Sequence, residues 1–174
     1  MLFRSYWLYV TYAPTNVFGP GVTGPGRGFV DVFTINGVLQ HRLQNGFWMN
    51  APWGVTMAPT DFGRVSNRVL VGMFGSGAIA TFDPLYGTFR GFMRNTDGLP
   101  VVISKGLWGL GFGNGSGAGA TNTLYFASDF QFAGVFHGLF GTLTPAPAVP
   151  GIGGGGEGDQ GGNNNDQGEN NNEQ

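Results

Sequence analysis

Acid–base or zinc chemistry in this chain would have to start from His41 and His137, its two histidines. A zinc or catalytic histidine needs a partner carboxylate or two further ligands. His41 falls in an expected outer strand and should face solvent. His137 follows Phe136 at the opening of an expected strand and reads as a packing residue. Asp31 and Asp83 stand near corresponding strand positions, two residues before Phe33 and one after Phe82. They are candidates for a carboxylate ring around a metal in a central channel. Asp83-Pro84 is also a turn initiator, which accounts for Asp83 without a metal. There is no Gly-x-Ser-x-Gly elbow, and residues 1–150 hold no closely spaced carboxylate pair. The sequence therefore assigns no catalytic, cofactor-binding or metal-binding residue.

Gly111 to Gly119, Gly-Phe-Gly-Asn-Gly-Ser-Gly-Ala-Gly, could be taken for a phosphate-binding loop. Such a loop must lead into a helix whose N-terminus holds the phosphates. Here a strand-like run, Thr123 to Ala127, follows, so the segment is read as a flexible inter-strand loop. Trp53 and Trp108 could bind a ligand by stacking, but they recur in a repeat and are expected to pack between sheets.

That repeat organises the chain. Trp53-Gly54 is followed fourteen residues later by Asn67 and the run Val69-Leu70-Val71; Trp108-Gly109 is followed fourteen residues later by Asn122 and Leu124-Tyr125-Phe126. Self-similarity at this period marks a propeller or solenoid. The middle unit, 50–94, shows four expected strands: 50–57, 68–74, 78–82 and 88–93. Turns fall at Gly75-Ser76-Gly77 and at Asp83 to Gly87. Four short strands in one such unit describe a propeller blade. The last unit, 106–143, shows three, at 106–112, 123–127 and 138–143. The first, 1–43, also shows three, at 7–12, 28–33 and 38–43, with Asn36-Gly37 as a type I′ turn signal. The expected fold class is all-β: a partial β-propeller of about three blades, beginning within one blade and ending within another.

Composition agrees. Gly numbers 34 and Phe 16, charged residues make up 10%, and cysteine is absent. Glycine and aromatics suit short strands, tight turns and stacked sheets. The formal charge is −2, but residues 1–150 hold all eight basic residues against five acids, while 151–174 hold five acids and no base. The bases are scattered rather than clustered in a stripe, so no nucleic-acid surface is expected. No apolar run reaches the length of a membrane span. Met1 to Ala13 faintly resembles a signal peptide, but polar residues break it and it reads better as a strand. Residues 144–150 form a Pro-rich linker. Residues 151–174, rich in Gly, Asn and acids, lack the apolar surface to order themselves and are expected to be disordered.

Several phrases resemble a known family. They are Leu8-Tyr9-Val10-Thr11-Tyr12-Ala13, Gly28-Phe29-Val30-Asp31-Val32-Phe33, Pro52-Trp53-Gly54, Leu70-Val71-Gly72, Phe82-Asp83, Gly106-Leu107-Trp108-Gly109, Thr123-Leu124-Tyr125-Phe126 and His137-Gly138-Leu139-Phe140-Gly141. Over residues 8–144 the chain is similar to the C-terminal half of a largely uncharacterised bacterial family of NHL-like β-propellers. Many of its members are exported, and some carry PEP-CTERM-type sorting signals. The resemblance implies a six-bladed ring in full-length members and an extracellular or cell-envelope location. It implies no established reaction and no cofactor.

The leading functional expectation is a non-catalytic module that binds a protein or glycan through rim loops at 14–27, 59–67 and 113–121. One alternative is a metal-dependent lyase or hydrolase using the channel. The other is a truncated gene product that self-associates through unpaired edge strands.

Overall fold

Strands β5 (Val69–Met73) and β6 (Ile79–Phe82) are buried at every residue. Their side chains, Thr81 apart, are apolar on both faces, so each face must be covered by another sheet. The computed structural model, which describes residues 7–16 and 22–146, shows how. β1 (Trp7–Tyr12), β2 (Phe29–Thr34) and β3 (Leu39–Arg42) form one sheet. β4 (Pro52–Met57), β5, β6 and β7 (Phe89–Phe92) form the second, and β8 (Leu107–Phe112), β9 (Leu124–Phe132) and β10 (Val135–Leu143) the third. Every neighbouring pair is antiparallel. One 3₁₀ turn, Gly63–Val65, is the helical element among the described residues. The protein is all-β, as expected, and its three sheets are separate and open-edged. The expectations for residues 1–6 and for the tail 151–174 lie outside the described residues, as does most of the linker 144–150.

The second sheet sits between the other two. Its Val69, Val71, Met73, Ala80 and Phe82 join Val30, Val32, Leu43 and Met49 in one core. Its Leu70 and Ile79 point the other way and join Ala58, Phe62, Met93, Leu107 and Leu124 in a second core. Burying a side chain of this size stabilises by about 1.5–3 kcal/mol.

The pairing register repeats from sheet to sheet. Leu8 lies opposite Phe33, Val69 opposite Phe82 and Leu124 opposite Leu143. One step along, Tyr9 meets Val32, Leu70 meets Thr81 and Tyr125 meets Thr142. β1, β5 and β9 are therefore equivalent, as are β2, β6 and β10. β4 corresponds to β8, and both pair irregularly with their neighbours at the Trp-Gly step. The reason for the glycine is steric. A Cβ on Gly54 would lie 2.9 Å from the Trp108 carbonyl oxygen and the Leu110 nitrogen, so β4 and β8 can approach only over a bare backbone.

Two local expectations change. The third sheet's strands run longer than alternation suggested, to Phe132 and from Val135. Ala133 and Gly134 both have positive φ, 49° and 81°, and close a tight hairpin that Ala-Gly does not advertise. At Asn36-Gly37 only Gly37 is left-handed, φ 81°, so the turn is not type I′; it closes through Gly37 N–H donating to the Thr34 carbonyl.

Candidate functional site

Trp53 and Trp108 start the first strands of adjacent sheets, and the β4–β8 approach brings them together. Their rings meet edge to face at 4.8 Å, and Phe74 closes the cluster at 5.7 Å from Trp53 and 4.7 Å from Trp108. The Trp108 indole N–H donates to Asp129 Oδ2 at 3.2 Å. The Thr11 hydroxyl donates to the Trp53 carbonyl oxygen, tying the first sheet to the cluster. The rings are spent on one another, although Trp53 keeps 40% of its surface exposed. Asp129 occupies the register position of Phe74, where an acid breaks the repeat.

Asp31 and Asp83 are not brought together. Asp31 sits within β2, at the register position of Ala80, whereas Asp83 lies just past β6, at the position of Thr34. Equivalent carboxylates of a ring would share one position. Asp31 is buried and accepts from Arg42 Nε at 2.6 Å and Nη2 at 3.0 Å. The Arg42 guanidinium also lies 3.7 Å over the Phe29 ring. Asp83 Oδ1 accepts the Leu85 and Tyr86 N–H groups, and Oδ2 accepts from Arg90 at 3.2 Å. The Tyr86 N–H, above all, holds the Asp83 carboxyl below its ordinary pKa. Among the described residues no three His, Asp or Glu side chains are grouped to hold a metal.

His41 is not solvent-facing. Its Nε2 is buried without a hydrogen-bond partner, against Gly87 in the turn between β6 and β7. His137 is exposed on β10 and stacks on Phe130 at 5.3 Å. The Tyr9 hydroxyl is likewise buried without a partner, and burial raises its pKa. Tyr9 shares an open slot between β1 and β4 with Leu8, Val55 and Met57.

The three expected rim loops do not share an end. Gly24 N–H donates to Asn50 Oδ1, and Thr23 lies beside Gly75, so the 22–28 part of the first connection sits where β4 starts and β5 finishes. The 58–68 and 113–123 connections sit at the opposite end, where Phe62 and Phe112 meet edge to face at 4.8 Å. Topology explains this: β1 corresponds to β5 and not to β4, so its following loop is a different hairpin.

Both loops at the shared end are internally bonded. Ser66 Oγ donates to the Gly63 carbonyl, and Asn67 takes a left-handed φ of 59° while donating to the Ala58 carbonyl. Asn114 Oδ1 accepts from the Ser116 and Ala118 N–H groups, and Gly115 N–H donates to the Gly119 carbonyl. The Gly-rich loop leads into β9, a strand, which removes the phosphate-loop geometry.

No family profile and no solved structure matches the chain. It is 38% identical over 106 residues to the uncharacterised protein R648 of Acanthamoeba polyphaga mimivirus, a match covering 60% of this chain and 26% of that protein. The uncharacterised mimivirus protein L690 is 35% identical over 106 residues, covering 60% and 28%. The uncharacterised protein R640 of the same virus is 30% identical over 105 residues, covering 59% and 19%. The chain thus spans about a quarter of the length of the curated relatives it matches.

These viral relatives overturn the resemblance to a bacterial NHL-like propeller family. The six-blade count and the exported location rested on that resemblance and go with it. Phrases such as Leu70-Val71-Gly72 arise wherever short strands meet tight turns, so they report architecture and not ancestry.

Proposed function

We propose that the three sheets are successive blades of a β-propeller, and that the chain is a non-catalytic recognition module for a protein or glycan. The blade reading is supported by the repeating register and by its direction: β4 packs on β8, β5 also touches β8, and β1 touches β4 in the same relation. The second sheet carries the four strands of a full blade.

The observation that carries the binding role is the shared end. Two polar loops are pinned together by the Phe62–Phe112 contact, are bonded within themselves, and expose Asp61, Arg64, Asn67, Asn114, Ser116 and Thr121. A surface ordered before it meets its ligand loses little conformational entropy on binding. Asp31, Asp83 and Asp129 are already committed to Arg42, to a turn and to Trp108, as structural acids would be.

The test is a glycan array and a protein-interaction screen with the full chain, followed by titration with Arg64→Glu and Asn114→Ala. A ligand bound at micromolar Kd, weakened about tenfold or more by either change, supports the reading. Binding that both variants leave intact, or no ligand in either screen, overturns it.

A further inference from the structure

The stack makes the same interface twice and, among the described residues, leaves each half of it open once. Let the front of a sheet be the side it turns toward the next sheet in the chain. Front positions Tyr9, Val30 and Val32 of the first sheet, and Leu70, Ile79 and Thr81 of the second, are covered. Their counterparts on the third sheet are Tyr125, Phe140 and Thr142. Among the described residues, no other sheet covers these: Thr142 is exposed, Phe140 is 71% exposed and stacks on Tyr125 at 5.8 Å, and Tyr125 is half-buried beside Gly119 of its own sheet's loop. The two rings border an open depression with Gly111, Phe112, Ser116 and Gly119.

The back positions behave in the same way. Val69, Val71 and Phe82 of the second sheet face the first, and Leu124, Phe126 and Leu143 of the third face the second. Their counterparts on the first sheet are Leu8, Val10 and Phe33. These are apolar as well, yet Leu8 is 48% and Val10 36% exposed. The same face carries two charges paired with each other, buried Asp31 and half-exposed Arg42.

The glycines mark the open side. A Cβ on Gly77 would strike the Ser104 backbone, which leads into the next sheet. Gly138 holds the equivalent register position, and a Cβ there would meet nothing within 4 Å. Gly54 is crowded by β8, whereas its counterpart Gly109 has only Ala127 at 3.7 Å, within its own sheet.

We propose that the front of the third sheet docks on the back of the first sheet of a second copy, Tyr125 and Phe140 against Leu8, Val10 and Phe33. The contact continues the packing already made twice within each chain. It is heterologous, so it forms a ring where the rotation closes and a longer stack where it does not.

The experiment is sedimentation velocity on the full chain with Phe140→Glu, Leu8→Glu and their equimolar mixture. The wild-type chain is expected to sediment at a whole multiple of the monomer mass. Each variant alone should associate at least tenfold more weakly. The mixture should form a one-to-one complex, because one good front and one good back remain. A wild-type chain that stays monomeric up to about 100 μM overturns the proposal. So does association that neither change weakens, which would mean pairing of edge strands, and so do two variants that fail to combine. Phe140→Ser and Leu8→Ser repeat the same arms if a charged variant loses its cooperative unfolding.

Discussion

Gly28 and Gly77 hold the same register position in successive sheets, and both adopt left-handed backbone, with φ of 89° and 72°. Each presses on the following unit: a Cβ on Gly28 would meet Pro52, as well as the Tyr12 carbonyl of its own sheet, and one on Gly77 the Ser104 backbone. Backbone cannot yield as a side-chain tip can. Gly77→Ala should therefore lower stability by about 3 kcal/mol, from strained φ and displaced chain together. Gly138→Ala, with open space and no left-handed φ, should change it by less than about 0.5 kcal/mol. Urea unfolding of the two variants tests the contrast.

Tyr9→Phe should stabilise the protein. The hydroxyl is buried without a partner, and removing such a group recovers about 1 kcal/mol. The same burial raises the phenol's pKa in the folded chain. Below the unfolded value of about 10, both states are protonated and nothing is lost. As pH climbs from there toward the folded value, the unfolded chain ionises first and stability falls. The phenylalanine variant should lose this alkaline decline, seen as a flatter stability–pH curve.

Asp83 acts at the opposite limb. Its folded pKa is lowered, chiefly by the Tyr86 N–H, so its contribution is present above the ordinary carboxylate pKa and disappears as pH falls through the folded value. Asp83→Asn keeps an oxygen for the Leu85 and Tyr86 N–H groups. It should cost little at pH 7 while flattening the stability curve below about pH 4. Asp83→Ala removes the acceptor and should cost about 1 kcal/mol.

Leu70 is fully buried on the front of the central sheet, whereas Leu39 on β3 is 55% exposed. Leu70→Ala should destabilise by about 3 kcal/mol through lost burial and a residual cavity. Leu39→Ala should stay within about 0.5 kcal/mol. Equal effects would contradict the two-sided burial of the second sheet.

Strand positions were readable because alternation and glycine turns are local. Trp7 to Tyr12 was read residue for residue, and the middle unit's four strands were placed to within one or two residues at each end. What escaped the sequence was relational. His41 looked solvent-facing because nothing near it in sequence announces Gly87. The loops 14–27 and 59–67 are both long and polar or Gly-rich, although they follow non-equivalent strands. Asn67 and Asn122 share a spacing, but only Asn67 takes a left-handed turn. Asp129 was overlooked because its partner, Trp108, lies in another strand.

The bare backbone at Gly54 has one more consequence. It sets how closely the second and third sheets nest, since any side chain at that step would hold β8 away from β4. Gly54→Ala should therefore loosen the third sheet from the second while leaving the packing of the first sheet on the second in place, seen as faster hydrogen exchange confined to β8 and β9.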